Sequence, residues 1–337
     1  KPKEILFTSG GTESNNTAII GTAMANRRKG KHIITTKVEH ASVYEPMYHL
    51  EEEGYEVTYL DVDAEGIVDL KQLEESIRED TILVSCMMVN NEIGAIEPIE
   101  EIAKIIKAKN PNTIFHVDAI QAYGKLPIIP KNMGIDLLST SGHKIHGPKG
   151  IGFLYIRKNV RIGAFIHGGS QERGKRAGTH NVPGIVGLAA AAKIAKENLE
   201  SNIEYETKLR DYAISRIENE IPFAVLSGHR TKRLPNNIHF CFRFIEGESM
   251  LILLDQAGIC GSSGSACTSG SLDPSHVLLA IGRPHEIAHG SLRLTLSEKN
   301  TKEEIDKVVD ELKKIIERLR SMSPLYEDYL KKEKANV

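Results

Sequence analysis

A single cysteine stands in a stretch of small residues that have almost no side chain to pack. Residues 261–270 read GSSGSACTSG, with Cys267 as the nucleophile. An unperturbed thiol, with a pKa of about 8.5, is mostly protonated near neutrality, so attack would need an activating base. Because glycine and serine order weakly, a cysteine placed here could visit two sites in turn. Taken alone, the stretch is better explained as an ordinary turn with an incidental cysteine.

A lysine follows one of the predicted strands. Residues 139–156 read STSGHKIHGPKGIGFLYI, which places Lys144 in a turn between two strands. Open α/β sheets bind ligands at the carboxyl ends of their strands. A partly desolvated amine at such a position can lose its proton and form an imine. On this segment alone, Lys144 and Lys149 are explained equally well as solvated loop lysines.

Two further segments could complete a site for pyridoxal 5′-phosphate (PLP), which needs an anion cradle and an acid for its ring nitrogen. Residues 8–16, TSGGTESNN, run from a strand into a helix through two glycines. Backbone N–H groups there, with the Thr12 hydroxyl, would hold a phosphate. Asp118 lies near the end of the apolar stretch FHVDAIQA, where a protonated pyridine nitrogen would be its partner. From the same stretch, Gln121 could reach the phenolic oxygen.

A histidine supplies the fourth group. His40 ends the stretch KVEH after another strand and could lie against the ring face. Singly, each of these residues has a simpler explanation as a turn, a surface carboxylate or a structural hydrogen-bonding group. Four such groups at the carboxyl ends of four successive strands converge on one place. Together they predict one PLP site.

The elements that must position these residues alternate between strand and helix over the first two thirds of the chain. Apolar strands alternating with amphipathic helices predict a mostly parallel sheet covered on both faces. Strands are predicted at residues 4–8, 33–38, 55–62, 81–89, 113–119, 135–141 and 151–156, and helices at 42–53, 70–78 and 99–108.

The last third differs, because a long helix after Pro183 is followed by strands interleaved with helices. We predict strands at 223–226, 237–242 and 292–296 and a smaller α+β domain. Thr301 and Glu304 form a capping box for a final amphipathic helix. The tail from Pro324 is polar, and we expect it to fray.

Composition excludes several classes of partner. The chain has 337 residues, of which 40% are hydrophobic and 26% are charged, with a formal net charge of −2. This charge leaves no broad electrostatic footprint for nucleic acid. The apolar runs are too short to cross a bilayer. We therefore expect neither a nucleic-acid nor a membrane partner.

Cysteine use indicates a reducing compartment. The cysteines at positions 86, 241, 260 and 267 form no CxxC pair and no cluster with zinc spacing. We therefore expect no resident metal and a cytoplasmic location. The chain opens with Lys1 almost directly on a strand, so we expect that sequence is missing before it.

The chain resembles the cysteine desulfurases of the NifS/IscS type, within the fold-type I PLP enzymes of aminotransferase class V. The matching stretches, in family order, are TSGGTESNN, VEH, NNEIG, HVDAIQ, SGHKIHGPKGIG, GGSQERGKRAGTHN, SSGSACTSG and GSLRLTL. The resemblance implies a fold-type I α/β architecture. Residues 1–200 would form a large domain with a mostly parallel seven-stranded sheet, and residues 201–337 a smaller α+β domain that carries the cysteine loop.

The resemblance implies a cofactor role for each matching residue. Lys144 would bind PLP as a Schiff base, and His40 would stack on the ring. Asp118 would pair with the ring nitrogen and Gln121 with the phenolic oxygen. The residues that would hold the phosphate are Gly11, Thr12, Ser141 and His143.

The resemblance also implies partners. Thr179 would reach the phosphate of the neighbouring subunit's cofactor, which implies a homodimer. Asn90 and Arg293 would bind the carboxylate of the substrate, L-cysteine. Arg293 suits that role physically, because its planar fork meets a carboxylate at two points.

The implied reaction leaves L-alanine and a persulfide on Cys267. Lys144 would remove the α-proton, and His40 would accept a proton from a thiol. The acceptor would be an iron–sulfur scaffold protein of the IscU/NifU type, docking on the loop around Cys267 and on residues 318–330. Two further questions stay open. The sulfur could instead supply transfer RNA thiolation or nitrogenase, and Cys267 could transiently ligate an iron–sulfur cluster.

Two alternatives stay open. Another class V PLP enzyme, such as an aminotransferase or a selenocysteine lyase, would share the lysine site but would not need SSGSACTSG. A non-catalytic binding protein of the same fold would show no yellow, imine-type absorbance. His276, His285 and His289 suggest a ligand cluster, but a helical polar face explains them better.

Overall fold

The chain forms two compact units. This computed structural model describes residues 1–263 and 274–335. The first unit comprises Lys1–Asp63, Ile67–Asn91 and Ile96–Leu199, and the second comprises Ala64–Gly66, Glu92–Ala95 and the chain from Glu200 onward. Cys267, the predicted nucleophile, lies outside the described residues.

The described part of the first unit contains a seven-stranded sheet. Its strands are β1 (Ile5–Thr8), β2 (His32–Thr36), β3 (Glu56–Leu60), β4 (Thr81–Met87), β5 (Ile114–Asp118), β6 (Leu137–Ser141) and β7 (Gly152–Ile156). Their order in the sheet is β1-β7-β6-β5-β4-β2-β3. β7 runs antiparallel to both of its neighbours, and the other pairings are parallel.

The sheet is covered on both faces, which explains the near-continuous apolar strands. Every residue of β2, β4, β5 and β6 is buried. Strands buried on both faces lose the alternation of polar and apolar residues. The predicted α/β fold with a mostly parallel sheet is therefore confirmed.

In the described part of the chain, four helices connect strands of this sheet, and a fifth follows β7. They are α1 (Gly11–Asn26), α2 (Ala41–Glu52), α3 (Leu70–Ser76), α4 (Ile99–Lys109) and α5 (Val182–Glu197). α4 shows why the local sequence folds this way. Ile99, Ile102, Ala103 and Ile106 are buried along one face, with acidic residues in the first turn and lysines in the last.

The four strands that carry the predicted cofactor groups are not successive in the sheet. β7 lies between β1 and β6, and β4 lies between β5 and β2. The groups still share one edge, because β1, β6, β5 and β2 all run in the same direction. The prediction of successive strands was wrong because chain order does not give sheet order.

The described part of the second unit has a three-stranded antiparallel sheet in the order β10-β9-β8. Its elements are α6 (Leu199–Glu220), β8 (Ala224–Leu226), β9 (Asn237–Phe242), α7 (Gly247–Gln256), α8 (His276–Ala280), α9 (His285–Ala288), β10 (Ser291–Thr295), α10 (Lys302–Ser321) and α11 (Pro324–Ala335). A core that includes Phe240, Val309 and Leu312 joins the sheet to α6, α7 and α10.

The C-terminal tail forms a helix, so the prediction of a frayed tail was wrong. Tyr326 and Tyr329 of α11 pack against Phe223 and Phe244, with ring centroids 5.1–6.4 Å apart. Arg320 lies over Phe223 and Tyr326. Aromatic contacts with a distant part of the chain order a segment whose own composition is polar.

No helix in residues 1–263 and 274–335 combines the length and the apolar character needed to span a bilayer.

Candidate active site

A hydrogen-bonded chain links the ends of β5 and β2. Asn15 of α1 donates from Nδ2 to Asp118 Oδ2 at 2.7 Å and to Ser42 Oγ at 2.9 Å. Ser42 Oγ lies 2.8 Å from His40 Nδ1, and the Ser42 N–H donates to the same nitrogen at 3.0 Å. The second oxygen of Asp118 accepts the Ile120 N–H at 2.9 Å. The carboxylate and the imidazole are therefore held through one shared amide.

Three ionisable groups interact at this edge. Burial raises the pKa of Asp118, against hydrogen bonds from Ile120 and Asn15 and the nearby charges of His40 and Lys144. Burial also lowers the pKa of His40, with Asp118 opposing and Lys144 adding to the shift. A buried carboxylate whose pKa is raised gains from a cationic partner. The three side chains named for the cofactor thus lie within electrostatic reach of one another.

The tautomer of His40 follows from its contacts. Its Nδ1 accepts the Ser42 N–H, and its lowered pKa favours the uncharged imidazole near neutral pH. We therefore assign the ring proton to Nε2. In this geometry His40 presents an N–H donor, and accepting a proton at Nδ1 would require the Ser42 contact to break.

Lys144 lies in a short 3-10 helix, Gly142–Ile145, that begins where β6 ends. The turn closes at His146, which takes a left-handed conformation with φ of 61°. Lys144 is half-buried, whereas Ser141 is 1% exposed. The Ser141 hydroxyl lies 2.8 Å from His143 Nδ1, so the two residues proposed for the phosphate contact each other.

The turn between β1 and α1 has the geometry of an anion cradle. Gly10 caps the helix with φ of 153° and ψ of −169°, a conformation that residues other than glycine rarely adopt. A Cβ added at Gly10 would lie 3.7 Å from Ser141 Oγ, which places this turn beside the end of β6. A Cβ at Gly11 would lie 2.2 Å from Ile120 Cδ1. The first turn of α1 leaves N–H groups without helical partners, as an anion site needs.

These residues fit PLP. The buried Asp118 suits a protonated ring nitrogen, the Gly10 turn suits the phosphate, and Lys144 supplies an amine beside them. Thr12 and His40 also line a separate cavity of about 510 Å³, whose described walls do not include Asp118 or Lys144. In the described residues, no group of three or more His, Cys, Asp or Glu side chains is arranged to hold a metal ion.

Thr179 lies in an exposed loop near an ion pair between Arg176 and Glu13. Burial would raise the pKa of Glu13, but hydrogen bonds from Arg176 and Ser9 lower it. The pair ties this loop to α1 at 2.8 Å. The loop that carries Thr179 is therefore attached to the element that forms the anion cradle.

The other predicted site residues are described by their own surroundings. Gln121 is half-buried just after β5. Asn90 is completely buried, and its Nδ2 donates to the Val38 carbonyl at 2.9 Å. Arg293 belongs to the second unit, where its N–H and carbonyl pair with Ser262 at 2.6 and 3.1 Å.

Sequence reasoning missed Asn15 and Ser42. Both are polar residues on the buried faces of α1 and α2. A signal was present, since Asn15 lies in the same TSGGTESNN stretch as the glycines, and a buried amide needs a partner. The identity of that partner required the structure, because Asp118 is 103 residues away.

Comparison with protein-family models identifies a match over most of the chain. The model described as aminotransferase class-V matches residues 1–308.

Named relatives agree with this match. A protein named cysteine desulfurase IscS from Clostridium botulinum (strain Hall) is 56% identical over 330 residues, covering 97% of this chain and 83% of the relative. A protein of the same name from Methanosarcina thermophila is 55% identical over 322 residues, covering 96% of this chain and 79% of the relative.

A solved structure of a NifS-like protein is also similar. It superposes with a TM-score of 0.89 at 42% identity, covering 95% of this chain and 84% of the other. The similarity thus extends from sequence to backbone geometry.

Proposed function

Because the chain belongs to the aminotransferase class-V family, and within it to the cysteine desulfurases of the NifS/IscS type, we propose that it takes sulfur from free L-cysteine and leaves L-alanine. The observation that carries the proposal in this chain is the hydrogen-bonded chain through Asn15 and Ser42 that joins Asp118 to His40, with Lys144 near enough to affect the pKa of both. One pyridine ring would need a carboxylate, an imidazole and an amine together in this way.

PLP is the cofactor, and when bound it withdraws electrons from an attached amino acid, which makes the α-proton acidic. Lys144 would hold it through Nζ, and Asp118 would keep a proton on the ring nitrogen. The Gly10–Gly11 turn, Thr12, Ser141 and His143 would hold its phosphate. Gln121 would meet the phenolic oxygen.

The proton steps fall to two residues. Lys144 Nζ would accept the α-proton of the substrate once its amine is released. His40 would lie against the ring with Nε2–H as a donor. Its proposed second role, accepting a proton from a thiol, is supported by the lowered pKa that makes the ring neutral near neutrality. That role would require release of the Ser42 contact.

Cys267 would be the sulfur carrier. Its thiolate would attack the substrate sulfur, forming an S–S bond while the substrate C–S bond breaks. The electron pair of the broken bond stays with the carbon skeleton, which takes up a proton and leaves as L-alanine. Arg293 and Asn90 would hold the substrate carboxylate during this transfer.

We propose a homodimer in which Thr179 reaches the partner's cofactor. An apolar stripe on α5 supports a protein interface, because Val182, Val186 and Ile194 are 59%, 63% and 59% exposed. Val186→Glu should therefore shift the protein toward monomer in sedimentation velocity. Ile252→Glu, at an equally exposed apolar position in α7, should not; equal effects of the two would contradict an interface on α5.

We further propose that sulfur passes to an iron–sulfur scaffold protein in the cytoplasm. A cavity of about 700 Å³ in the second unit is lined by Ser263, Pro274 and apolar residues including Leu319 and Met322. Ser263 and Pro274 are the described residues that flank the segment of Cys267. The cavity therefore offers an acceptor an apolar surface at the two residues that flank this segment. A reducing compartment would keep the carrier thiol available.

The decisive experiment is an absorbance spectrum of the purified protein before and after addition of L-cysteine, with alanine and sulfide quantified. We expect a yellow protein, a spectral change and alanine release. Turnover that depends on a keto acid would identify an aminotransferase instead, and turnover with selenocysteine alone a selenocysteine lyase. A colourless protein that does not take up PLP would support the non-catalytic alternative.

A further inference from the structure

A buried carboxylate holds two cations at the opposite edge of the sheet from the PLP site. Asp136 directly precedes β6 and is 1% exposed. Its carboxylate pairs with Lys107 Nζ at 2.9 Å and with the Arg157 guanidinium at 2.8 Å, and it accepts the Phe115 N–H at 2.9 Å. Lys107 also donates to the Thr113 carbonyl at 2.6 Å. These contacts fix the positions of both cations.

A close backbone approach brings in a second pair of cations. The Gly163 N–H donates to the Gly21 carbonyl at 2.7 Å, and a Cβ on Gly21 would lie 2.8 Å from the Gly163 carbonyl. Glycine at position 21 lets the chain after β7 cross α1 closely. Arg161 precedes this crossing, and Lys29 follows the end of α1.

The four cations line one cavity. It has a volume of about 300 Å³, and its walls include Lys29, Lys107, Arg157 and Arg161, with Asp136 as the one acidic side chain among the described residues. In the described part of the chain, neither Lys29 nor Arg161 forms an ion pair. Asn26, Asn112 and Asn159 add neutral hydrogen-bonding groups. Three positive charges are thus unmatched in a chain whose net charge is −2.

We propose that this cavity binds an oligophosphate anion, either free or as the phosphate chain of a nucleotide. Guanidinium groups meet phosphate oxygens at two points, and an ammonium group adds a compact charge. An anion with several charges fits the excess better than a single carboxylate. The proposal does not depend on the desulfurase activity, because none of these residues belongs to the proposed PLP site.

A competing explanation is that the cations are a solvated surface. Lys29 and its neighbours follow the C-terminus of α1, where positive charge also complements the helix dipole. That explanation predicts no defined ligand and equal effects of all nearby cations. The two explanations therefore differ in the specificity of substitutions.

The test is calorimetric titration of the PLP-loaded protein with sodium pyrophosphate, ADP and adenosine at low ionic strength. Loading with PLP keeps the phosphate cradle at Gly10 occupied. We expect saturable binding of pyrophosphate and ADP and none of adenosine. Equal affinities of pyrophosphate and ADP would indicate a free oligophosphate, and tighter ADP a nucleotide. Binding of adenosine alone, or of no probe at millimolar concentration, would overturn the proposal.

Matched variants locate the site. Arg161→Glu and Lys29→Glu should each weaken pyrophosphate binding roughly tenfold or more, because each loses a charge-assisted hydrogen bond. Lys158→Glu and Arg28→Glu make the same change in charge at exposed positions outside the cavity walls and should have much smaller effects. If all four variants weaken binding equally, the attraction is diffuse and the site is refuted. Alanine release from L-cysteine should be unchanged in all four, which reports that they fold.

Discussion

Asn15 Nδ2 lies 2.7 Å from Asp118 Oδ2 and 2.9 Å from Ser42 Oγ, so one amide connects the proposed ring-nitrogen partner to the residue that orients His40. Substitution of Asn15 should therefore be felt at two proposed cofactor contacts at once. Asn15 is completely buried, and neither contact can be replaced by water without rearrangement.

Asn15→Ala should destabilise the protein by about 1–3 kcal/mol, because it leaves a buried carboxylate with one hydrogen bond fewer. It should also weaken PLP binding, since the pKa of Asp118 would rise further. Urea unfolding and PLP titration measure the two effects. Asn16→Ala, at the half-buried neighbouring position, is the control and should change neither by a comparable amount.

Lys144→Ala should remove the absorbance of the lysine-bound cofactor and lower alanine release to background. The reason is that no other amine is proposed to hold PLP covalently. Lys149→Ala changes an exposed lysine in the same segment and should keep the spectrum. An unaltered spectrum in the Lys144 variant would refute its assignment.

Cys267→Ala should keep the yellow colour of the bound cofactor but abolish alanine release. Its thiol is proposed to take the sulfur and is not proposed to contact PLP. Cys260→Ala removes an exposed free thiol seven residues earlier and is the matched control. Normal turnover by the Cys267 variant, measured as alanine formed from L-cysteine, would eliminate the persulfide role.

Glu97 should make the protein less stable as the pH rises. Burial raises its pKa from 4.5 to about 8, while its Oε2 accepts the Val68 N–H at 3.0 Å. The contribution of Glu97 to the free energy of unfolding is fully present below the pKa of the unfolded state. It is lost as the pH rises through the pKa of the folded state. The loss between these limits is of the order of a few kcal/mol, because one pKa unit corresponds to about 1.4 kcal/mol.

Glu97→Gln should flatten that dependence, because an amide does not ionise. Urea unfolding at several pH values between 5 and 8 or so would measure the slope. Glu100→Gln, at an exposed position on α4, should leave the slope unchanged. A wild-type slope that persists in the Glu97 variant would assign the effect to other buried carboxyl groups, such as Glu39.

The strands were predictable because burial on both faces of the sheet requires near-continuous apolar runs in the sequence. The run TILVSCM of β4 is mostly apolar and does not alternate, and all of its residues are buried. The capping box of Thr301 and Glu304 likewise marked the start of α10. The boundary between α5 and α6 was not visible, because α6 begins at Leu199, directly after the residue that caps α5, with no proline or glycine between them.

Contacts between residues far apart in the sequence were harder to predict than the residue types at strand ends. Glycine, lysine and aspartate at strand ends suggested a PLP site, but the link through Asn15 depends on the packing of α1 against β5. The helix α11 was not predicted for the same reason. The rings of Phe223 and Phe244 that order it lie far earlier in the sequence. The roles of the site residues remain predictions, and the variants above test them.

The backbone pairing of Ser262 with Arg293, at 2.6 and 3.1 Å, fixes the chain on one side of residues 264–273, and Ser275 fixes it on the other by capping α8. β10 also pairs with β9 from Ser291 to Thr295, so its register has a second support outside residues 264–273. Residues 264–273 could be lengthened, shortened or exchanged while the guanidinium of Arg293 stays on an unaltered β10. The sulfur delivery proposed for this segment and the substrate binding proposed for Arg293 would then be separately adjustable properties.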